Sequence, residues 1–258
     1  MCLLALGWRT HPHWRLVMAG NRDEFHARPT APLGRWQEAP SIIGGRDLRS
    51  GGGWAGVGAG GRMAVVTNVR DPLAAQAGPS RGALVADFLR SQEPAAVHTD
   101  RLAGIAAAYA PFNLLLADGH SLEYLGNHPA ERQTLGPGVH GMSNGALDAP
   151  WPKTRRLMDG LARWLEGEQA AGPSAADSDL ALLWQALADE HRPADSALPD
   201  TGIGLERERW LSPAFIRGDD YGTRASTVIL IDANGHGQIH ERRFGAQGAF
   251  VGESHIEF

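Results

Sequence analysis

The sequence predicts a single α+β domain over residues 1–258, with sheet at its centre and helices segregated outside it. Three observations carry this reading. Apolar runs of strand length open the chain at 2–8 and 14–20, and others close it at Ser226–Asp232 and Gln238–Phe244. Helical periodicity is confined to the middle of the chain. A doubly wound parallel sheet would alternate strand and helix throughout, and this chain does not.

The first two runs flank Arg9-Thr10-His11-Pro12-His13, whose proline and polar residues read as a hairpin turn, so Cys2 opens the first strand. The second run ends at Gly20 and leads into Asn21-Arg22-Asp23-Glu24, four polar side chains at a strand end. In a hairpin the end of the second strand lies beside the start of the first, which places this cluster near Cys2. Glycines then crowd residues 44–61. Gly56-x-Gly58-x-x-Gly61 matches a dinucleotide fingerprint, but Arg62–Val69 reads as a strand where that motif requires a helix. Turns and close backbone approach are expected there instead.

Ser80 is placed to cap a helix over 80–91, with Leu84, Val85 and Phe88 on one face. Part of the alanine-rich stretch 95–109 forms another. Asn113–Ala117 and Leu122–Leu125 are strands about an Asp118-Gly119-His120 turn. Pro152–Glu166 is a helix with Leu157, Leu161, Trp164 and Leu165 inward, and Ser178 caps a further one carrying Leu180, Leu183, Trp184 and Leu187. Between these two, Gly167–Ala176 reads as a surface loop. Asn234-Gly235 turns the closing hairpin.

Composition narrows the function classes. A formal net charge of -5 carries no footprint for nucleic acid. No apolar stretch reaches the eighteen or so residues of a membrane helix, and the opening segment lacks the basic start of a secretory signal. A cytoplasmic protein with a small-molecule partner is expected; oligomeric state is left open. One cysteine excludes an internal disulfide, a Cys-x-x-Cys metal site and Cys-x-x-Cys-His haem attachment. The eleven histidines include no His-x-x-x-His on a helix with a carboxylate, so no metal site is expected.

Cys2 draws attention by its position. A thiol is nucleophilic only as thiolate, and an ordinary cysteine is mostly protonated at neutral pH. Removal of Met1 would give Cys2 a free α-amine with pKa about 7.7–8.0, able to accept the thiol proton. Such a centre also needs a carboxylate to orient the ammonium, for which Asp23 is suited, and donors for an oxyanion, for which an asparagine serves.

The chain resembles the NRDE family, also called the transport and Golgi organisation protein 2 family. The resemblance rests on Cys2, then Ala19-Gly20-Asn21-Arg22-Asp23-Glu24-Phe25 with Arg28-Pro29-Thr30, and Thr67-Asn68-Val69-Arg70. It continues through Gly141-Met142-Ser143-Asn144, Asp148-x-Pro150-Trp151-Pro152-Lys153, and Tyr221-Gly222-Thr223-Arg224-x-Ser226-Thr227-Val228, covering essentially the whole chain. That family is similar in turn to the cysteine branch of the N-terminal nucleophile hydrolases. The likeness implies an αββα sandwich, two mainly antiparallel sheets flanked by helices. It also implies Cys2 as nucleophile, Asp23 at the amine, Asn144 in the oxyanion hole and Arg224 near the nucleophile. Asn21, Arg22 and Asn68 are the candidate binding residues.

The hydrolases carry arginine where Gly20 stands. Arg22 sits farther along, and because the next side chain on a strand faces the opposite way, it is not expected to stand in. Plainer roles stand beside these: Cys2 as a buried strand residue, the Asn21–Glu24 cluster as a hydrogen-bonded turn with Glu24 on Arg28, Asn144 in turn chemistry at Gly145, and Arg224 neutralising Asp219 or Asp220. Trp8, Trp14, Trp36, Trp54 and Trp151 are candidates for an apolar pocket wall. The family has been linked to haem trafficking and to lipid or acyl-coenzyme A metabolism. The resemblance therefore implies a cysteine amidohydrolase of a non-peptide amide or acyl compound that needs no cofactor, a non-covalent haem carrier, or an inactive scaffold.

Overall fold

Two sheets stack face to face in the computed structural model, which describes residues 2–74, 77–167 and 180–258. The first runs β10-β1-β2-β11-β12-β13, where β1 is Cys2–Trp8, β2 Trp14–Phe25, β10 Gly138–Met142, β11 Tyr221–Asp232, β12 Gly237–Phe244 and β13 Phe250–Glu257. The second runs β3 to β9 in chain order: Thr30–Trp36, Ala39–Asp47, Ala55–Gly58, Arg62–Asn68, Phe112–Ala117, Leu122–Asn127 and Ala130–Thr134. Every strand pairing among the described residues is antiparallel.

Alternation along the strands builds three apolar layers. Leu4 and Leu6 of β1 and Leu16 and Met18 of β2 point between the sheets, against Ile43, Met63, Val65 and Leu115. The intervening Leu3, Ala5, Val17 and Ala19 point outward and are covered by α3 (Pro152–Glu166) and α4 (Ala181–Leu187) through Leu157, Leu161, Trp164 and Leu183. On the far side α1 (Arg81–Arg90) and α2 (Ala95–Ala103) cover the second sheet with Leu84, Val85, Phe88 and Leu102. A last short helix, α5, spans Leu205–Trp210. The result is the αββα sandwich. Each fully buried Leu or Met of the shared core contributes about 1.5–3 kcal/mol.

Several expectations need adjusting. Asn21–Glu24 is not a turn after the strand: β2 continues to Phe25, because β11 pairs with it along its whole length. Ser80 holds the N-cap position of α1, but its hydroxyl makes no capping bond. Ser178 and residues 168–176 of the expected loop lie outside the described residues.

The glycine run is explained by close approach. A Cβ on Gly44 of β4 would lie 2.7 Å from the Ala55 carbonyl oxygen and 3.2 Å from the Gly56 Cα. Only glycine lets β4 and β5 meet this closely. Gly44→Val is expected to cost about 1–3 kcal/mol in urea unfolding, through forced separation of these strands. An unchanged midpoint and slope would show that the approach is not needed.

Candidate active site

Cys2 is 8% exposed and shares its face of β1 with Leu4 and Leu6, between the sheets. Its partner across the β1–β2 pair is Arg22, while Gly20 faces Leu4. Gly20 and Arg22 lie two residues apart and so share a face, which corrects the expectation that Arg22 turns away. Position 20 is tight for any side chain: a Cβ there would meet the Leu3 oxygen and Leu4 Cβ at 3.0 Å. Arg22 is therefore the cation this strand presents beside Cys2. On the other side, β10 pairs Leu4 with Met142 and ends there, and the chain continues into Ser143 and Asn144. The Ser143 hydroxyl donates to the Cys2 carbonyl at 3.1 Å.

A cavity of about 830 Å³ opens at this point, and Cys2, Arg22, Asp23, Asn68 and Arg224 are on its wall. The wall is cationic. Arg22, Arg28, Arg46, Arg49, Arg81, Arg224 and Arg243 stand against four carboxylates, Asp23, Glu24, Asp47 and Glu241. Some of these charges are internally matched: Arg28 Nε lies 2.6 Å from Asp47 Oδ2 and 3.7 Å from Glu24 Oε2. Arg81 Nη1 instead donates to the Pro111 carbonyl at 2.9 Å. Of the tryptophans, Trp54 lines the cavity, whereas Trp8, Trp14 and Trp36 are core residues and Trp151 packs against the Arg70 guanidinium at 5.1 Å.

Asp23 is 1% exposed, and Thr223 Oγ1 donates to its Oδ1 at 2.8 Å. With Cys2 opposite Arg22, Asp23 is one position beyond along β2, where the amino-terminal charge acts on its carboxyl. Burial pushes its carboxyl pKa up, against the pull of the amino-terminal charge, Lys153, the Thr223 bond and Arg70. Burial also pushes the Cys2 thiol up; the amino-terminal charge and Arg22 oppose this, while Asp23 and Glu24 add to it.

The other candidates divide. Arg224 Nη1 donates to the carbonyls of Phe25 at 2.8 Å and of His26 and Arg28 at 3.0 Å, which fixes its guanidinium on the turn after β2 rather than on Asp219 or Asp220. Asn144 is 1% exposed, and its Nδ2 donates to the Asn68 carbonyl at 2.8 Å. Its buried Oδ1 has no hydrogen-bond partner among the described residues. Asn144 thus neighbours Cys2 without forming the cavity wall, and Asn68, which does, is the residue its amide holds. Asn21 is not on the cavity wall. It is fully buried toward the helix layer, donating at 2.8 Å to the carbonyls of Leu187 and Ala214 and accepting from Ser226 Oγ at 2.6 Å.

Lys153, at the start of α3, is 5% exposed, and its ammonium donates to the Leu211 carbonyl at 2.9 Å. Nearby, Arg70 Nη1 lies 2.5 Å from Glu208 Oε2, with both side chains buried. Sequence spacing gives Arg70 and Lys153 no role beyond their places in the family motifs. Composition carries one signal for this charged cluster: of the 24 basic Lys and Arg residues, Lys153 is the single lysine. Among the described residues no group of three or more His, Cys, Asp or Glu is placed to hold a metal.

A family model described as Transport and Golgi organisation 2 matches residues 1–246. The chain belongs to this family. Bos taurus Transport and Golgi organization protein 2 homolog is 32% identical over 263 residues, covering 94% of this chain and 92% of that protein. The Homo sapiens homolog is 30% identical with the same coverage, and the Drosophila melanogaster protein 26% over 90% of this chain and 88% of its own. Among solved structures, the Caenorhabditis elegans N-acylethanolamine-hydrolyzing acid amidase ortholog superposes with a TM-score of 0.50 at 11% identity, over 89% of this chain and 92% of that one. The sandwich of this Transport and Golgi organisation 2 family member is thus of the N-terminal nucleophile hydrolase type. No helix among the described residues is long and apolar enough to cross a membrane.

Because Asn21 satisfies two carbonyls and a hydroxyl in the interior, Asn21→Ala is expected to cost about 2–4 kcal/mol in urea unfolding. A loss below about 0.5 kcal/mol would contradict its assignment to the helix–sheet interface.

Proposed function

We propose that this protein is a cysteine N-terminal nucleophile amidohydrolase, acting in the cytoplasm on a non-peptide amide or related acyl compound. The observation that supports this best is the arrangement at one end of β1: Cys2 on the wall of a large cavity, with Asp23 at its amino-terminal side and Arg22 across the pair. With Met1 attached, burial keeps the thiol protonated at neutral pH, so the centre lacks a base. Removal of Met1 supplies one, the α-amine of Cys2, beside a carboxylate that orients it.

In the proposed reaction the amine takes the thiol proton and Sγ attacks the acyl carbonyl. Asn144, the oxyanion donor that the family resemblance implies, stands behind Asn68 with one Nδ2 hydrogen on the Asn68 carbonyl, and its second Nδ2 hydrogen is the candidate donor. The ammonium then returns the proton to the leaving amine as the C–N bond breaks, leaving a thioester on Cys2. Water, deprotonated by the same amine, attacks the thioester and releases the acid. Seven arginines against four carboxylates on the wall favour a substrate with an anionic group. The same wall would pair the carboxylates of a haem, and His26 is the one imidazole on it among the described residues, so non-covalent haem carriage is the second reading.

The test is Cys2→Ser assayed on a panel of anionic and neutral acyl-amides and thioesters, with haem as competitor and thermal denaturation alongside. The proposal expects turnover to fall by at least a hundredfold while the melting temperature barely moves, since a serine there has polar neighbours. Wild-type turnover on none of the panel would leave the amidohydrolase reading without support. A Soret shift on titration would then favour haem carriage, and its absence an inactive scaffold.

A further inference from the structure

Three polar side chains stand between the sheets where apolar ones are expected. Thr67 of β6, Asn113 of β7 and Tyr124 of β8 are each 2% exposed or less. Their neighbours two positions away, Val65, Leu115 and Leu122, all belong to the shared apolar layer. An unbonded amide or hydroxyl there would be costly, and each of these is bonded. Tyr124 Oη donates to Asn113 Oδ1 at 2.9 Å, and Asn113 Nδ2 donates to Thr67 Oγ1 at 3.4 Å. Gly126 leaves room for the Tyr124 hydroxyl, which a Cβ there would approach to 2.6 Å. Burial pushes the phenol pKa up to about 12, so Tyr124 remains a donor at any ordinary pH.

The network ends on the segment that follows β10. Thr67 Oγ1 donates to the Ser143 carbonyl at 2.6 Å, and Asn113 Nδ2 to the Gly145 carbonyl at 2.7 Å. The carbonyl between them, that of Asn144, accepts from the Arg70 amide at 2.7 Å. Three successive carbonyls are thus held from the second sheet and the chain that leaves β6. The same segment reaches the first sheet through the Ser143 hydroxyl on the Cys2 carbonyl, and the cavity wall through the Asn144 amide on Asn68. Apolar packing would hold the sheets together without these bonds. A fully bonded polar network adds a single fixed arrangement of the segment it grips.

We propose that Asn113 is a positioning residue for the Cys2 centre: with Thr67 it fixes the backbone on either side of Asn144, so that the Asn144 amide keeps its place while Cys2 attacks an acyl carbonyl. The inference rests on the reading of Cys2 as nucleophile and Asn144 as oxyanion donor, and one arm of its test does not. That arm is hydrogen exchange read by mass spectrometry. Asn113→Leu keeps the volume and removes the amide. The amides of Arg70 and of residues 143–147 should then exchange about tenfold faster or more, with β11 and β12 unchanged. Tyr124→Phe should act in the same direction, to a smaller extent.

The second arm compares two reagents on the whole protein. p-Nitrophenyl acetate acetylates the Cys2 thiolate through a tetrahedral oxyanion: the Sγ–C bond forms, the C–O bond breaks and p-nitrophenolate leaves. Iodoacetamide alkylates the same thiolate by direct displacement of iodide, with no oxyanion. Asn113→Leu should slow acetylation about tenfold or more and alkylation less than about twofold. In an Asn144→Ala background it should slow acetylation no further, because it acts through Asn144. Equal losses with both reagents, unaltered acetylation, or full additivity with Asn144→Ala overturns the proposal. Unchanged exchange at Arg70 and 143–147 overturns it as well, and Tyr124→Phe carries both arms if Asn113→Leu fails to fold. A wild-type Cys2 that is never acetylated sinks the nucleophile reading, while the exchange arm still decides whether Asn113 fixes Asn144.

Discussion

Antiparallel pairing of β1 with β2, held at the register that sets Cys2 against Arg22, fixes three residues of the site at once. Side chains alternate along a strand, so Arg22 must share the face of Cys2 while Asn21 and Asp23 turn to the other. A slip of one residue would send Arg22 into the helix layer and bury Asn21 between the sheets. The apolar residues around the site prevent that slip: Leu4 and Met18 have places only in the shared core, and Leu3 and Ala19 only beneath α3 and α4. The site is therefore a by-product of a register that burial enforces.

The polar end of this hairpin is costly to bury, and its partners come from distant parts of the chain. Thr223 and Ser226 of β11 answer Asp23 and Asn21, and Ser143 answers the Cys2 carbonyl. Lys153 and Arg70 bring two cations to the same region, against Asp23 and Glu208. Well-packed apolar residues would often serve stability as well as buried ion pairs do. The concentration of such groups at one strand end, beside the large cavity, is what connects the fold to chemistry.

Much of this was legible in the amino-acid order, and the failures have physical causes. The β1–β2 hairpin, the boundaries of α3 and the closing β11–β12 hairpin follow from apolar periodicity, because each buries one face. β9 and β13 were invisible, since Ala130–Thr134 is exposed throughout and Phe250–Glu257 is an exposed or half-buried edge. Edge strands form because a neighbour offers hydrogen bonds, and leave little trace in hydrophobic pattern. Asn21 and Asp23 look alike in sequence, yet one is satisfied by the interior and the other borders the cavity. Only tertiary partners separate such cases. The burial of Lys153 is hidden for a related reason: a lysine in the first turn of an amphipathic helix reads as a solvated residue until the Leu211 carbonyl is seen to accept from it.

The central claim is that Cys2, once it is the first residue, is the reactive centre of this fold. Intact mass spectrometry of the purified protein, before and after brief treatment with a thiol-reactive probe, tests it most directly, because Cys2 is the only cysteine. The account predicts a mass lacking Met1 and a single adduct formed rapidly at neutral pH on the folded protein. A chain that keeps Met1, or a processed chain whose thiol is labelled only after denaturation, would contradict it and return Cys2 to the role of a core residue.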